Sequence, residues 1–310
     1  MIRSPLLALA LALSAALLAA CKGSPKSDAA NADDASTTPL ASGSAAPAPS
    51  APMNATPIPA ATIAGFVNPA GLPPYAGPTG SIEGIVSISG APSPDVPGQD
   101  FAKCPAAEKI YGKLFREGPA APDGSRPVAD VVIAVTGYSG FYVPERAEVR
   151  VTTIEGCAFA ERVIDLTVGQ RLEISSKASD LWAPTLEQMQ LPALMVATPG
   201  GDPVKLYPRP GHYTLVDRMG HAWAKSDVWA LLQPLHAVSH IDGHYRIDGV
   251  PVGKLTVSGR LTSIGQEASK PVEVIAGVVQ KVDLALTYSA SKMPAKAPAR
   301  VDAGRTPVLK

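Results

Sequence analysis

Charge of either sign is scarce in this chain, and so are aromatic rings and cysteines. Asp, Glu, Lys and Arg make up 17% of the 310 residues and sum to a formal net charge of zero. That leaves no basic excess of the kind that neutralises phosphates, and nucleic acid is excluded as a partner. Aromatics are 5% of the chain, so a core must be built mainly from aliphatic side chains. After the first twenty residues no apolar run approaches the ~20 residues of a membrane-spanning helix. The sequence has no H-E-x-x-H, no G-x-S-x-G, no C-x-x-C and no glycine-rich phosphate loop. Gly137-Tyr138-Ser139-Gly140 lacks the second spacing of a nucleophile elbow. The expectation is a chain that is not an enzyme and holds no cofactor.

Proline (32) and glycine (27) are plentiful instead, and the first residues form a signal. Arg3 supplies a positive start, Leu6 to Ala20 is small and apolar apart from Ser14, and Leu18-Ala19-Ala20-Cys21 follows at once. This resembles the lipobox of bacterial lipoproteins, whose cysteine carries a diacylglyceryl thioether and whose signal, here 1–20, is removed. The resemblance implies lipidation at Cys21, which is enough for stable anchoring. Lys22, rather than an aspartate, follows the cysteine, which by the usual sorting rule favours the outer membrane. From 21 to 78 the chain is mostly Ala, Pro, Ser, Thr and Asn, too poor in apolar bulk to fold, and reads as a semi-stiff spacer. The tail, 289–310, carries Lys292, Lys296, Arg300, Arg305 and Lys310 against Asp302 and reads as a basic, solvated segment.

Between these ends the pattern is that of an all-β protein. Alternation is plain in Ser81-Ile82-Glu83-Gly84-Ile85-Val86-Ser87-Ile88-Ser89 and in Glu148-Val149-Arg150-Val151-Thr152-Thr153-Ile154. Further strands are expected over 129–136, 162–168, 171–176, 203–207, 211–216, 226–232, 244–247, 252–261, 270–275 and 280–286. Turn signals such as Asp242-Gly243 and Pro210-Gly211 separate them. Helix is expected over 105–114, with one more turn at 185–190. With Cys21 assigned to lipid, Cys104 and Cys157 remain as a pair and are expected to form a disulfide in an oxidising compartment; two buried thiols are the alternative.

The run Asp242-Gly243-His244-Tyr245-Arg246-Ile247-Asp248-Gly249-Val250-Pro251-Val252-Gly253 resembles the carboxypeptidase regulatory-like, transthyretin-like module. The opening strand of such a module is matched far upstream by Gly80-Ser81-Ile82-Glu83-Gly84-Ile85-Val86. The gap implies a discontinuous sandwich, 79–136 and 235–288, with a second domain inserted in it or packed beside it. The intervening stretch, 137–234, is similar to the plastocyanin-like cupredoxins. That similarity rests on Glu155-Gly156-Cys157-Ala158-Phe159, Val168-Gly169-Gln170-Arg171-Leu172-Glu173-Ile174 and Gly220-His221-Ala222-Trp223.

The copper ligands of such proteins are largely missing. Loop 177–184 has no histidine, Arg218 stands where the family has its thiolate, and Ala224 stands where it has methionine. A type-1 site needs a thiolate and two imidazoles. His221 alone, with a guanidinium nearby, is expected to repel a cation, so no metal is expected there. His236, His240 and His244 recur every fourth residue, but the Asp242-Gly243 turn interrupts the group. They and His221 are the weak metal candidates. What remains is recognition. Trp182, Met189, His212, His221 and Trp223 are expected to converge at the end of the insert as a surface for an envelope protein; the competing reading places Trp223 and Trp229 in the core. Carbohydrate or peptidoglycan binding is the alternative, and copper-based electron transfer a third reading.

Overall fold

The computed structural model describes residues 56–145, 147–189 and 194–290. The expected signal, Cys21, most of the expected spacer and the tail beyond Ala290 lie outside the described residues. The spacer was expected to reach Pro78, but Ala60–Val67 form helix α1. Ile63, Phe66 and Val67 recur at the i, i+3, i+4 spacing that lines one helical face, a signal lost in a segment averaged as Ala and Pro. Phe66 and Val67 pack on the core of the later strands, and a Cβ on Gly169 would lie 3.0 Å from Ile63. Downstream, the Tyr75 N–H donates to the Tyr142 carbonyl at 2.8 Å, and the Tyr75 ring lies 4.5 Å from that of Phe141.

The all-β expectation holds. Strand β1 (Thr79–Gly90) buries Ile82, Val86 and Ile88 on one face, as its alternation requires. Helix α2 (Pro105–Tyr111) and strands β2 (Arg126–Pro127) and β3 (Val131–Thr136) follow. The chain then builds β4 (Val149–Glu155), β5 (Ala158–Phe159), β6 (Val163–Thr167), β7 (Arg171–Ser176), β8 (Pro184–Leu186), β9 (Val204–Leu206), β10 (Gly211–Asp217) and β11 (Lys225–Leu231). It closes with β12 (His236–Val238), β13 (His244–Pro251), β14 (Gly253–Leu261), β15 (Gln266–Val274), β16 (Val279–Lys281) and β17 (Leu284–Tyr288). The turn of helix expected at 185–190 is instead β8. It pairs Leu186 with Leu215 of β10, so a partner strand overrides a weak local preference.

Among the described residues, strands β4 to β11 pair only with one another, in sheets ordered β5-β4-β7-β9 and β6-β11-β10-β8. Between them lies a core that includes Phe159, Leu166, Leu172, Ile174, Trp182 and Leu215. The strands before and after form the other two sheets. In one, β1 is flanked by β13, β2, β16 and β17; the other runs β12-β3-β14-β15. Their shared core includes Ile82, Val86, Phe115, Ile133, Tyr245 and Leu284. The chain thus leaves this pair of sheets after β3 and re-enters it at β12, which pairs with β3 through His236 opposite Ala134.

Strand β3 explains its own sequence. Val131-Val132-Ile133-Ala134-Val135 does not alternate because both faces are covered. Val131, Ile133 and Val135 enter the core against β1, whereas Val132 and Ala134 meet Val163, Trp229 and Leu231 of the insert. Polar ties flank this seam. The Arg162 guanidinium donates to the carbonyls of Ile110, Lys113 and Leu114 at 3.2, 2.7 and 2.9 Å. His236 Nδ1 lies 2.8 Å from Asp165, and its Nε2 lies 3.0 Å from the Thr167 hydroxyl. The disulfide joins Cys104, just before α2, to Cys157 in the β4–β5 turn, with the Cα atoms 5.9 Å apart. It fastens the loop after β1 to the far end of the insert. No helix among the described residues is long and apolar enough to cross a membrane.

Candidate functional site

The loops that leave β7 and β10 converge at the end of the insert away from Gly169. Asp217, the last residue of β10, is the hub, with a side chain that is 0% exposed. One of its carboxylate oxygens accepts from the Ala183 N–H at 2.7 Å; the other accepts from the N–H groups of Met219 and His221 at 3.0 and 3.2 Å. The His221 ring adds a fourth contact, Nδ1 to Oδ2 at 2.8 Å. A carboxylate receiving three backbone N–H groups is an acceptor, so Nδ1 carries the hydrogen of that contact. Nε2 is left facing outward.

Aromatic rings hold the imidazole from two further sides. Trp182 stacks against it with centroids 3.9 Å apart and planes within 3°, and Trp223 meets it edge-on at 5.6 Å. The Trp223 indole N–H donates to the Cys157 carbonyl at 2.9 Å, which ties that ring to the disulfide turn. His221 therefore has one orientation, fixed by a buried anion and two rings. Beside it, Asp180 Oδ2 lies 3.4 Å from Nε2, on a side chain that is 55% exposed. The Ser179 hydroxyl, with a smaller contribution from His221, holds the Asp180 carboxyl below the usual carboxylate range. The site opens into a concavity of about 480 Å³ lined by Lys103, Asp180, Leu181, Met219, His221 and Trp223 among others. Leu181 and Met219 stand on it 47% and 45% exposed. A second cavity, at the seam beside Asp130, Arg162 and Asp227, holds about 10 Å³, room for about one water molecule.

The five residues expected to converge do not all meet. Trp182, His221 and Trp223 do, but Trp182, expected on the surface, is 0% exposed, and Trp223 is half-buried at the opening. Trp182 lies under His221 because its backbone pairs with Ala197 across the insert, which turns the ring into the core. His212 is the second residue of β10, at the opposite end of that strand from Asp217, where it bonds Asp227 at 2.8 Å and stacks on Trp229. Met189 packs on the insert core, outside the lining of the concavity. The charges beside the His221 imidazole are also not the one expected. They are Asp217 and Asp180, both negative, while Arg218 is exposed and its backbone N–H donates to the Ala183 carbonyl. Asp217, Asp180, Leu181 and Met219 escaped sequence reasoning; the Asp217 to His221 spacing of four was the available signal.

The weak metal candidates separate as well. His236 sits in the seam with Asp165, while His240 and His244 are exposed beside the Asp242-Gly243 turn. Among the described residues no group of three or more His, Cys, Asp or Glu side chains is placed to hold a metal ion.

No protein-family model matches the chain, and no curated protein matches it. Among solved structures it is similar to amicyanin from Paracoccus versutus, at 14% identity over 32% of this chain and 97% of that one, with a TM-score of 0.24. It is also similar to a chain of a heme-copper terminal oxidase dimer, at 15% identity over 27% of this chain and 65% of that one, with a TM-score of 0.23. A third likeness is to a Cu-containing nitrite reductase from Thermus scotoductus SA-01, at 18% identity over 32% of this chain and 26% of that one, with a TM-score of 0.22. Likeness this low does not carry copper chemistry to this chain.

Proposed function

We propose that this chain is a non-enzymatic protein of the cell envelope, anchored by lipid on Cys21, that binds a protein partner through the open end of its insert. One observation carries the reading: a concavity of about 480 Å³ in which an oriented imidazole and the half-buried Trp223 stand beside exposed Leu181 and Met219. Rigid aromatic and apolar anchors around a few fixed polar atoms are what a binding hot spot needs, because little entropy is lost in ordering them. The Asp217–His221 pair does not argue for a hydrolase. Among the described residues the hydrogen bonds of that ring go to Asp217 and not to a serine, threonine or cysteine. Of the three tryptophans, Trp182 and Trp229 are 0% and 2% exposed, so Trp223 is the one whose ring reaches the opening.

The test is photocrosslinking in living cells from a reactive residue placed at Leu181, with Val151, 52% exposed on β4, as the control position. A discrete adduct from Leu181 that is absent from Val151 is expected. Identical or empty lanes from both positions would remove the reading.

A further inference from the structure

We infer that the concavity at the end of the insert receives a cationic side chain, an arginine guanidinium or a lysine ammonium, presented by the partner. This rests on the partner-binding reading above and specifies its chemistry. The hydrogen-bond account of Asp217 fixes the tautomer of His221. All four contacts of that buried carboxylate are with N–H groups, three from the backbone and one from the ring, so in the uncharged form of the ring the hydrogen sits on Nδ1. Nε2 is then a lone-pair acceptor at the mouth of the concavity. The nearest charged atom to it is another acceptor, Asp180 Oδ2, 3.4 Å away. The other Asp180 oxygen, Oδ1, is engaged by the Ser179 hydroxyl at 2.5 Å, which orients the pair.

Two acceptors side by side, one of them an anion, are satisfied together by a positively charged N–H donor that can reach both. The surroundings suit such a side chain along its length. Leu181 and Met219 offer apolar contact to a methylene stem, and the half-buried Trp223 ring lines the same concavity. Lys103 lines the same concavity and carries the opposing sign. Selection must therefore come from short-range hydrogen bonding to Asp180 and Nε2, not from the field of the pocket as a whole. The corollary is that removing Lys103 tightens binding of the cation.

The experiment uses the full lipidated chain in detergent micelles and four fluorescein-labelled pentapeptides, Gly-Gly-X-Gly-Gly, with X as arginine, lysine, citrulline or glutamate. Fluorescence anisotropy reads the affinity. Arginine and lysine peptides are expected to bind at least about tenfold more tightly than citrulline, which keeps the shape of arginine without its charge. Asp180→Asn, at an exposed position that leaves the fold intact, should erase that preference, and Lys103→Ala should tighten arginine binding. Equal affinity for arginine and citrulline would overturn the inference, as would an unchanged preference in Asp180→Asn or a preference for glutamate. So would stoichiometric uptake of Zn(II) that Asp180→Asn abolishes while peptide affinities stay flat, since the acceptors would then serve a metal. Failure of the Leu181 crosslink alongside a clear arginine preference would strike the partner reading and leave the pocket chemistry standing.

Discussion

Replacing Asp217 with alanine should cost far more stability than its place at the end of a strand suggests. The carboxylate is fully buried and serves three backbone N–H groups and one imidazole. Met219 is exposed, so its N–H can turn to water once the acceptor is gone. The Ala183 N–H cannot, because Ala183 is 0% exposed and its donor would stay buried without a partner. An orphaned buried donor costs roughly 1–3 kcal/mol, and a lost hydrogen bond to a charged group costs a similar amount. The His221 ring also loses the contact that aligns it with Trp182. Together these put the expected loss at about 3 kcal/mol. Urea unfolding followed by far-ultraviolet circular dichroism would show this as a lower midpoint at unchanged slope. Asp217→Asn, which keeps one acceptor oxygen but sets an NH2 against the remaining donors, should fall between alanine and the native chain. A loss below about 1 kcal/mol for Asp217→Ala would mean that the donors find other acceptors, and the reasoning about a rigid imidazole would fail with it.

Three further outcomes can be checked independently. Cys21→Ser should abolish incorporation of labelled palmitate and shift the protein from the membrane pellet to the soluble fraction; persistence in the pellet would remove the lipid anchor. Replacing both Cys104 and Cys157 with alanine, which opens a loop spanning 53 residues, should lower stability by about 4 kcal/mol on chain entropy, and a melting curve unchanged by reductant would contradict it. Burial by itself would raise the Asp165 carboxyl, but the hydrogen bond and charge of His236, with Arg150 beyond, outweigh it and leave Asp165 below the usual carboxylate range. Its contribution is therefore complete above about pH 4, where the unfolded chain is also ionised, and is lost as pH falls towards the lower folded value. Asp165→Asn should flatten that part of the acid limb, and an acid limb identical to that of the native chain would refute the assignment.

The strands were legible because their signal is local. Alternation in 81–89 marks β1, and the unbroken Val131-Val132-Ile133-Ala134-Val135 marks a strand buried on both faces, although the second face could not be named without the insert. The disulfide followed from parity once Cys21 was set aside. Helix α1 was missed because three apolar residues on one face disappear in a composition dominated by alanine and proline. Strand β8 was missed because its conformation comes from β10, not from its own three residues.

The site was hardest to read because its parts come from segments that are far apart in the chain. Asp217 and Ala183 are 34 residues apart, and Trp223 is held by a carbonyl 66 residues away. Trp182 and Trp223 illustrate the difficulty. Both are tryptophans beside a loop, and no local pattern says which one faces solvent. The decision is made by pairings elsewhere: Trp182 is turned inward by its bridge to Ala197, and Trp223 is drawn to the surface by the Cys157 carbonyl. The disulfide places that carbonyl next to the loop bearing Lys103. Covalent closure between Cys104 and Cys157 thus does more than stabilise the chain: it positions one wall of the concavity. Reduction should accordingly loosen Trp223 and weaken binding at the concavity before the insert itself unfolds, since its core of Phe159, Leu172, Ile174 and Leu215 does not depend on that bond.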